Sequence, residues 1–226
     1  MNAGPVSDTL ALRVETQGRR ACLVLEVNRI SPPRRPQSGT QAAHQPSIID
    51  SAAASAALPG GPPMLQVVVD TEEEFDWQRP FDRGSVAVTA IQAQHLAQDL
   101  FAPYRLKPTY VVDYPVATTP ESVAVFAAFL AAGQCQIGAH LHPWVNPPHE
   151  EAVSTHNSYP GNLPAALERA KLTALTDAIT ASFGARPLVY KAGRYGGGPS
   201  TTALLQELGY LVDRSVVPFT DFGGDG

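Results

Sequence analysis

Residues 67–77 read VVVDTEEEFDW. Three β-branched residues, Val67 to Val69, run straight into five acids within seven positions: Asp70, Glu72, Glu73, Glu74 and Asp76. The valines favour a buried strand. A buried strand that ends in so much charge predicts a positive partner at its C-terminal end, and the question is which acids meet it.

Outward from this stretch the pattern repeats. A helical spacing of Ile91, Leu96, Leu100 and Phe101 follows in VAVTAIQAQHLAQDLFAPY, then a strand in PTYVVDY. The next helix, TPESVAVFAAFLAAG, opens with Thr119 as N-cap and Pro120 at its first position, and ends at Gly133. CQIGAHLH reads as a third strand, NLPAALERAKLTALTDAITASFG as a long helix closed by Gly184, and LVYKAGRYG as a fourth strand. STTALLQELG gives another helix and YLVDRSVVP a fifth strand. Strand–helix–strand repetition predicts an α/β fold, a parallel sheet with helices outside and the site at the C-terminal strand ends.

Residues 1–63 differ. SPPRRPQSGTQAAHQP and SAAASAALPGGPP are too poor in apolar side chains to offset chain entropy. Apart from a short strand in RRACLVLEVNRI, this segment is expected to be disordered or an overlong start, with folding beginning at Met64. The remaining 64–226 form the folded domain.

Composition removes several classes. The net charge is −5, and no basic patch carries interleaved aromatics, which argues against nucleic acid as a partner. No apolar run reaches the roughly 18 residues of a membrane span. No signal peptide is recognisable, so a cytoplasmic protein is expected. Cys22 and Cys135 lie too far apart for a metal-binding CxxC pair, and Cys135 reads as a small buried residue.

Each strand end carries ionisable groups: Asp70, Glu72 and Glu73; Asp113; His140 and His142; Lys191 and Arg194; Asp213. Five such ends would share one rim, which predicts a single polar site. His140 and His142 stand at i and i+2, on one face of a strand, so both imidazoles can reach one ion. Asp70 and Glu72 have the same relation, which suits a division between base and metal ligand. Glu73 remains a rival ligand. Glu74 and Asp76 read as surface acids. His149 and His156 lie in a loop that either is plain surface or covers the site. Trp144 and Tyr195 flank the site, where an aromatic face could meet a sugar or simply pack.

VVVDTEEEFDW, IGAHLHPW, VYKAGRYGG and YLVDRSVVP, in that order, resemble the successive motifs of the polysaccharide deacetylases, carbohydrate esterase family four, over about residues 64–222. The resemblance implies a distorted (β/α) barrel that removes acetyl groups from sugars with one divalent metal ion, most often zinc. It implies Asp70 as base, Glu72, His140 and His142 as metal ligands, Lys191 or Arg194 as the cation that holds the base, and Asp213 as a further catalytic acid residue. The chain departs from the family in four ways. The usual adjacent Asp-Asp pair is absent from the first motif, where Glu72 fits the branches with an acid two residues after the base. Lys191 stands at the arginine position. An H-x-x-x-H spacing would fall on Trp144. No Leu-x-His motif closes the sequence, so a C-terminally truncated barrel is expected. The implied function is a deacetylase acting on a carbohydrate; the alternatives are a catalytically inactive carbohydrate-binding relative and a hydrolase of a non-sugar amide or ureide.

Overall fold

A computed structural model of the chain describes residues 7–17, 20–30 and 65–217. Two units result, Met1–Gln66 and Val67–Gly226. In the first, β1 (Ser7–Gln17) and β2 (Arg20–Ile30) pair antiparallel, with Gln17 opposite Arg20. The strand expected in RRACLVLEVNRI is β2; its partner β1 is one that the sequence reading had not placed. The expected disorder over the remainder of 1–63 lies outside the described residues.

The second unit is α/β. Its strands are β3 (Val68–Thr71), β4 (Thr109–Val112), β5 (Gln136–Leu141), β6 (Val189–Ala192) and β7 (Val212–Asp213). They pair in parallel in the order β3-β4-β5-β6-β7. Between them run α1 (His95–Phe101), α2 (Tyr114–Thr118), α3 (Pro120–Ala131), α4 (Ala165–Phe183) and α5 (Thr201–Glu207). Parallel strands in sequence order, with the right-handed crossovers such units favour, place the intervening helices on one face of the sheet.

Register identifies that face. Tyr110 and Tyr190 lie on it, fully buried, and Tyr110 packs 5.0 Å from Phe126 of α3. Leu172, Leu175 and Ile179 repeat at 3–4 residue spacing along α4 and are also fully buried. Each such side chain contributes about 2–3 kcal/mol through burial. Gly184 ends α4 at φ 73, a left-handed conformation that glycine adopts without strain.

Two sequence expectations change here. Gln94 divides the predicted long helix into a 3-10 turn, Thr89–Ala93, and α1. The break shifts the helical phase. Ile91 and Phe101 are buried, but Leu96 and Leu100 are exposed, and Gln98 turns inward to accept a hydrogen bond from the Tyr110 hydroxyl at 2.8 Å. Thr119 has the extended backbone of an N-cap, yet its side chain makes no capping bond.

The opposite face carries Asp70, Asp113, His140 and Lys191. Lys191 on β6 contacts Asp70 on β3, across two intervening strands. In a flat sheet those strands would stand about 14 Å apart. Two side chains rising off a flat sheet do not span that distance. The sheet is therefore curled, with its concave side around these residues.

Candidate metal centre

Strand alternation sends Glu72, His140 and His142 to one point at the C-terminal rim. The Nε2 atoms of His140 and His142 lie 3.1 and 3.4 Å from Glu72 Oε2. Ligand atoms at tetrahedral zinc, with bonds of about 2.1 Å, sit about 3.4 Å from one another. The other ring nitrogens are occupied. His140 Nδ1–H donates to the Lys191 carbonyl at 3.0 Å, and His142 Nδ1–H donates to Glu73 Oε2 at 2.8 Å. Each bond holds Nδ1 and turns Nε2 toward Glu72, so that neutral imidazoles would present their Nε2 lone pairs to an ion there, as metal-bound histidines with such outer partners do. The donor set therefore fits a divalent ion.

The packing enforces this geometry. Both histidines are 2% exposed. The Trp144 ring stacks on His142 at 4.2 Å. A Cβ on Gly193 would come within 2.5 Å of His142 Cδ2 and of the Leu141 carbonyl, so only glycine fits behind that imidazole.

Electrostatics separates the two glutamates. Burial alone would raise the Glu72 carboxyl. The hydrogen bond from His140 and the charges of His142, His140 and Lys191 outweigh it and hold the group down to about 2. Glu73 goes the other way, raised mainly by burial. Asp113, fully buried, is raised well above the ordinary aspartate range by burial and by its hydrogen bond with Glu73. Its own oxygens accept the backbone N–H groups of Glu73 at 2.7 Å and Val116 at 2.9 Å, the second capping α2. Glu73, Asp113 and His142 form a second group of closely spaced donor atoms. One of its His142 bonds is already the contact that holds Nδ1, so we assign this group to holding the first.

Asp70, whose side chain is 39% exposed, pairs with Lys191 at the rim. The Lys191 ammonium also lies 4.3 Å over the Tyr195 ring, so Tyr195 packs on the cation that holds Asp70. Arg194 is not brought to Asp70. Its Nη1 donates to Ser158 Oγ at 2.7 Å, and its guanidinium lies 3.9 Å over Tyr159. Asp213 is not brought to the rim either. It pairs in register with Tyr190, on the helix face opposite His140, and accepts Ser215 N–H at 2.9 Å. Trp144 is 2% exposed, so it supports His142 and offers no face to a sugar. Neither His149 nor His156 joins the donor groups. Cys135 is buried and free, as its sequence context suggested.

Sequence reasoning missed the clamp beneath this loop. Lys171 of α4 is fully buried, and its ammonium donates to the carbonyls of Pro143 at 2.9 Å, Asn146 at 2.6 Å and Pro148 at 2.7 Å. Glu151 lies 3.1 Å away as its counter-ion. These bonds fix the segment that leaves His142. The signal available was a lysine on the apolar stripe of an otherwise amphipathic helix.

No helix among the described residues is long and apolar enough to cross a membrane. No protein-family model and no curated protein matches the chain. Solved structures are similar to it. They include IcaB from Ammonifex degensii, at 18% identity over 69% of this chain and a TM-score of 0.45. A chitin deacetylase from the fungal pathogen Colletotrichum lindemuthianum is 14% identical over 66% of this chain, with a TM-score of 0.44. A pseudoenzyme of carbohydrate esterase family 4 from Bacillus anthracis is 10% identical over 65%, with a TM-score of 0.43. This chain spans 60%, 53% and 42% of those three chains, respectively.

Proposed function

We propose that the chain is a metal-dependent hydrolase that removes acetyl groups from an N-acetylated sugar or polysaccharide, with zinc as the ion. The five curled strands are, in this reading, an arc of a distorted (β/α) barrel. One observation carries the proposal: two imidazole Nε2 atoms converge on one Glu72 oxygen while both Nδ1 atoms are held by other partners.

An ion bound by Glu72, His140 and His142 would polarise the acyl carbonyl and bring the pKa of water from 15.7 to about 7. Asp70 accepts the proton of the attacking water. Lys191 orients that carboxylate through the ion pair. The water oxygen joins the acetyl carbon, the carbon–nitrogen bond breaks, and the proton passes to the leaving nitrogen. The products are acetate and a free amine. Glu73, with Asp113 behind it, keeps His142 aimed throughout.

Acetate release from N-acetylglucosamine oligomers, measured with and without added zinc, tests this reading. Asp70→Asn should retain the metal and lose turnover; a variant that still turns over would remove Asp70 from the base role. The close contact between Lys191 and Asp70 supports a second reading, sugar binding without hydrolysis. That reading predicts oligomer binding with no acetate at any metal concentration.

A further inference from the structure

Beside the metal centre lies a cavity of about 390 Å³, lined by Trp77, Arg79, Phe81, Val153, Thr155 and Arg194 among others. Its volume is that of small-ligand sites, which span roughly 300–1,000 Å³. It shares no residue with the metal-ligand group, but it is close: Phe81 packs 4.7 Å from Trp144, which stacks on His142.

Two chemistries meet in this cavity. One wall is aromatic. Trp77 is 58% exposed, and its ring stands edge-on to Phe81 at 6.2 Å. Such faces accept the apolar side of a sugar ring. The other component is positive. The half-buried Arg194 guanidinium lies 5.4 Å from Phe81 and 6.0 Å from Trp77, with Arg79 on the same cavity. Among the described residues no carboxylate lies within ion-pair distance of Arg194, which donates to the neutral Ser158. Glu151, the nearest acid of the facing loop in sequence, is already engaged by Arg83 and Lys171.

The backbone is also set for this arrangement. Arg194 and Tyr195 both have φ 58, a left-handed conformation that costs a non-glycine residue on the order of 1 kcal/mol or more. In this conformation Arg194 lines the cavity, while Asp70 pairs with Lys191.

We infer that this cavity binds a carboxylate-bearing sugar ring, a hexuronate, next to the metal centre. The planar guanidinium matches a carboxylate through two parallel hydrogen bonds, and Trp77 takes the ring face. The sugar class rests on the function proposed above; the negative charge rests on the cavity itself.

The test is calorimetric titration with trigalacturonate and with its fully methyl-esterified form, which keeps the rings and removes the charge. The acid should bind at least tenfold more tightly than the ester. Arg194→Asn, which tolerates a left-handed backbone, should remove that preference, and Arg79→Gln on the exposed rim should reduce it. Trp77→Ala should weaken both ligands alike. Equal binding of acid and ester, binding of neither, or an undiminished preference in Arg194→Asn would overturn the inference. Where Arg194→Asn does not fold, the wild-type ratio and Arg79→Gln decide. Chelated protein should bind the acid as well as the metal-loaded protein does. Failure of the hydrolase reading would instead appear in the acetate assay and leave this binding intact.

Discussion

Glu72 and Glu73 are neighbours in sequence, and they end in different worlds. The Glu72 side chain is 30% exposed at the rim, facing the Nε2 atoms of two imidazoles. The Glu73 side chain is fully buried in the floor, held by one imidazole nitrogen of His142, with Asp113 beside it on the Glu73 backbone N–H. Their carboxyls shift in opposite directions, Glu72 downward and Glu73 upward. The rim holds groups that face solvent and could hold an ion; the floor holds groups that aim them. One step along an extended chain is enough to change the assignment.

The largest expected effect lies on the rim. His140→Ala removes a ligand, and zinc binding at micromolar concentration should disappear in equilibrium dialysis. Retained binding would break the distinction between rim and floor. Next is the clamp under the loop. Lys171→Met leaves three carbonyls without their donor and Glu151 with Arg83 alone, and should cost about 3–5 kcal/mol in urea unfolding. Glu73→Gln is milder. It removes an outer partner of a ligand, so metal affinity should fall about 10- to 100-fold while the fold persists. A loss as large as that of His140→Ala would make Glu73 a ligand itself.

The two regions should also differ in sign with pH. The lowered Glu72 carboxyl contributes stability above its unfolded value of 4.5, and that contribution is lost as pH falls toward 2. The raised Asp113 carboxyl behaves oppositely: its contribution is complete below 3.8 and is lost as pH rises. Thermal unfolding of Glu72→Gln in chelator should therefore lose part of the acid-side slope, and that of Asp113→Asn part of the slope at higher pH. The same slope change in both variants would contradict the separation.

How much of this was legible in the sequence depends on range. The five strands could be read because apolar runs between turn residues act locally. Glu72, His140 and His142 could be read because i, i+2 spacing fixes a shared face whatever the tertiary structure. Asp213 could not. Its face depends on pairing with Tyr190, and register is a property of two strands. Arg194 stands three residues from Lys191, but its guanidinium lies on Ser158 and Tyr159. Asp113 reaches Glu73 across forty residues, and Lys171 grips a loop more than twenty residues earlier. Nothing in a local pattern marks either bond. Trp144 illustrates the remaining ambiguity: an aromatic beside a site reads equally as sugar platform or as packing, and only its burial decides.

The most direct test of the account is the metal itself. Zinc titration of chelator-treated protein, followed by calorimetry, should give one ion per chain. Glu72→Gln and His142→Ala should each abolish that binding while leaving the far-ultraviolet circular dichroism unchanged. A protein that binds no zinc, or that binds it equally well after both substitutions, would contradict the claim that these three residues form a metal centre.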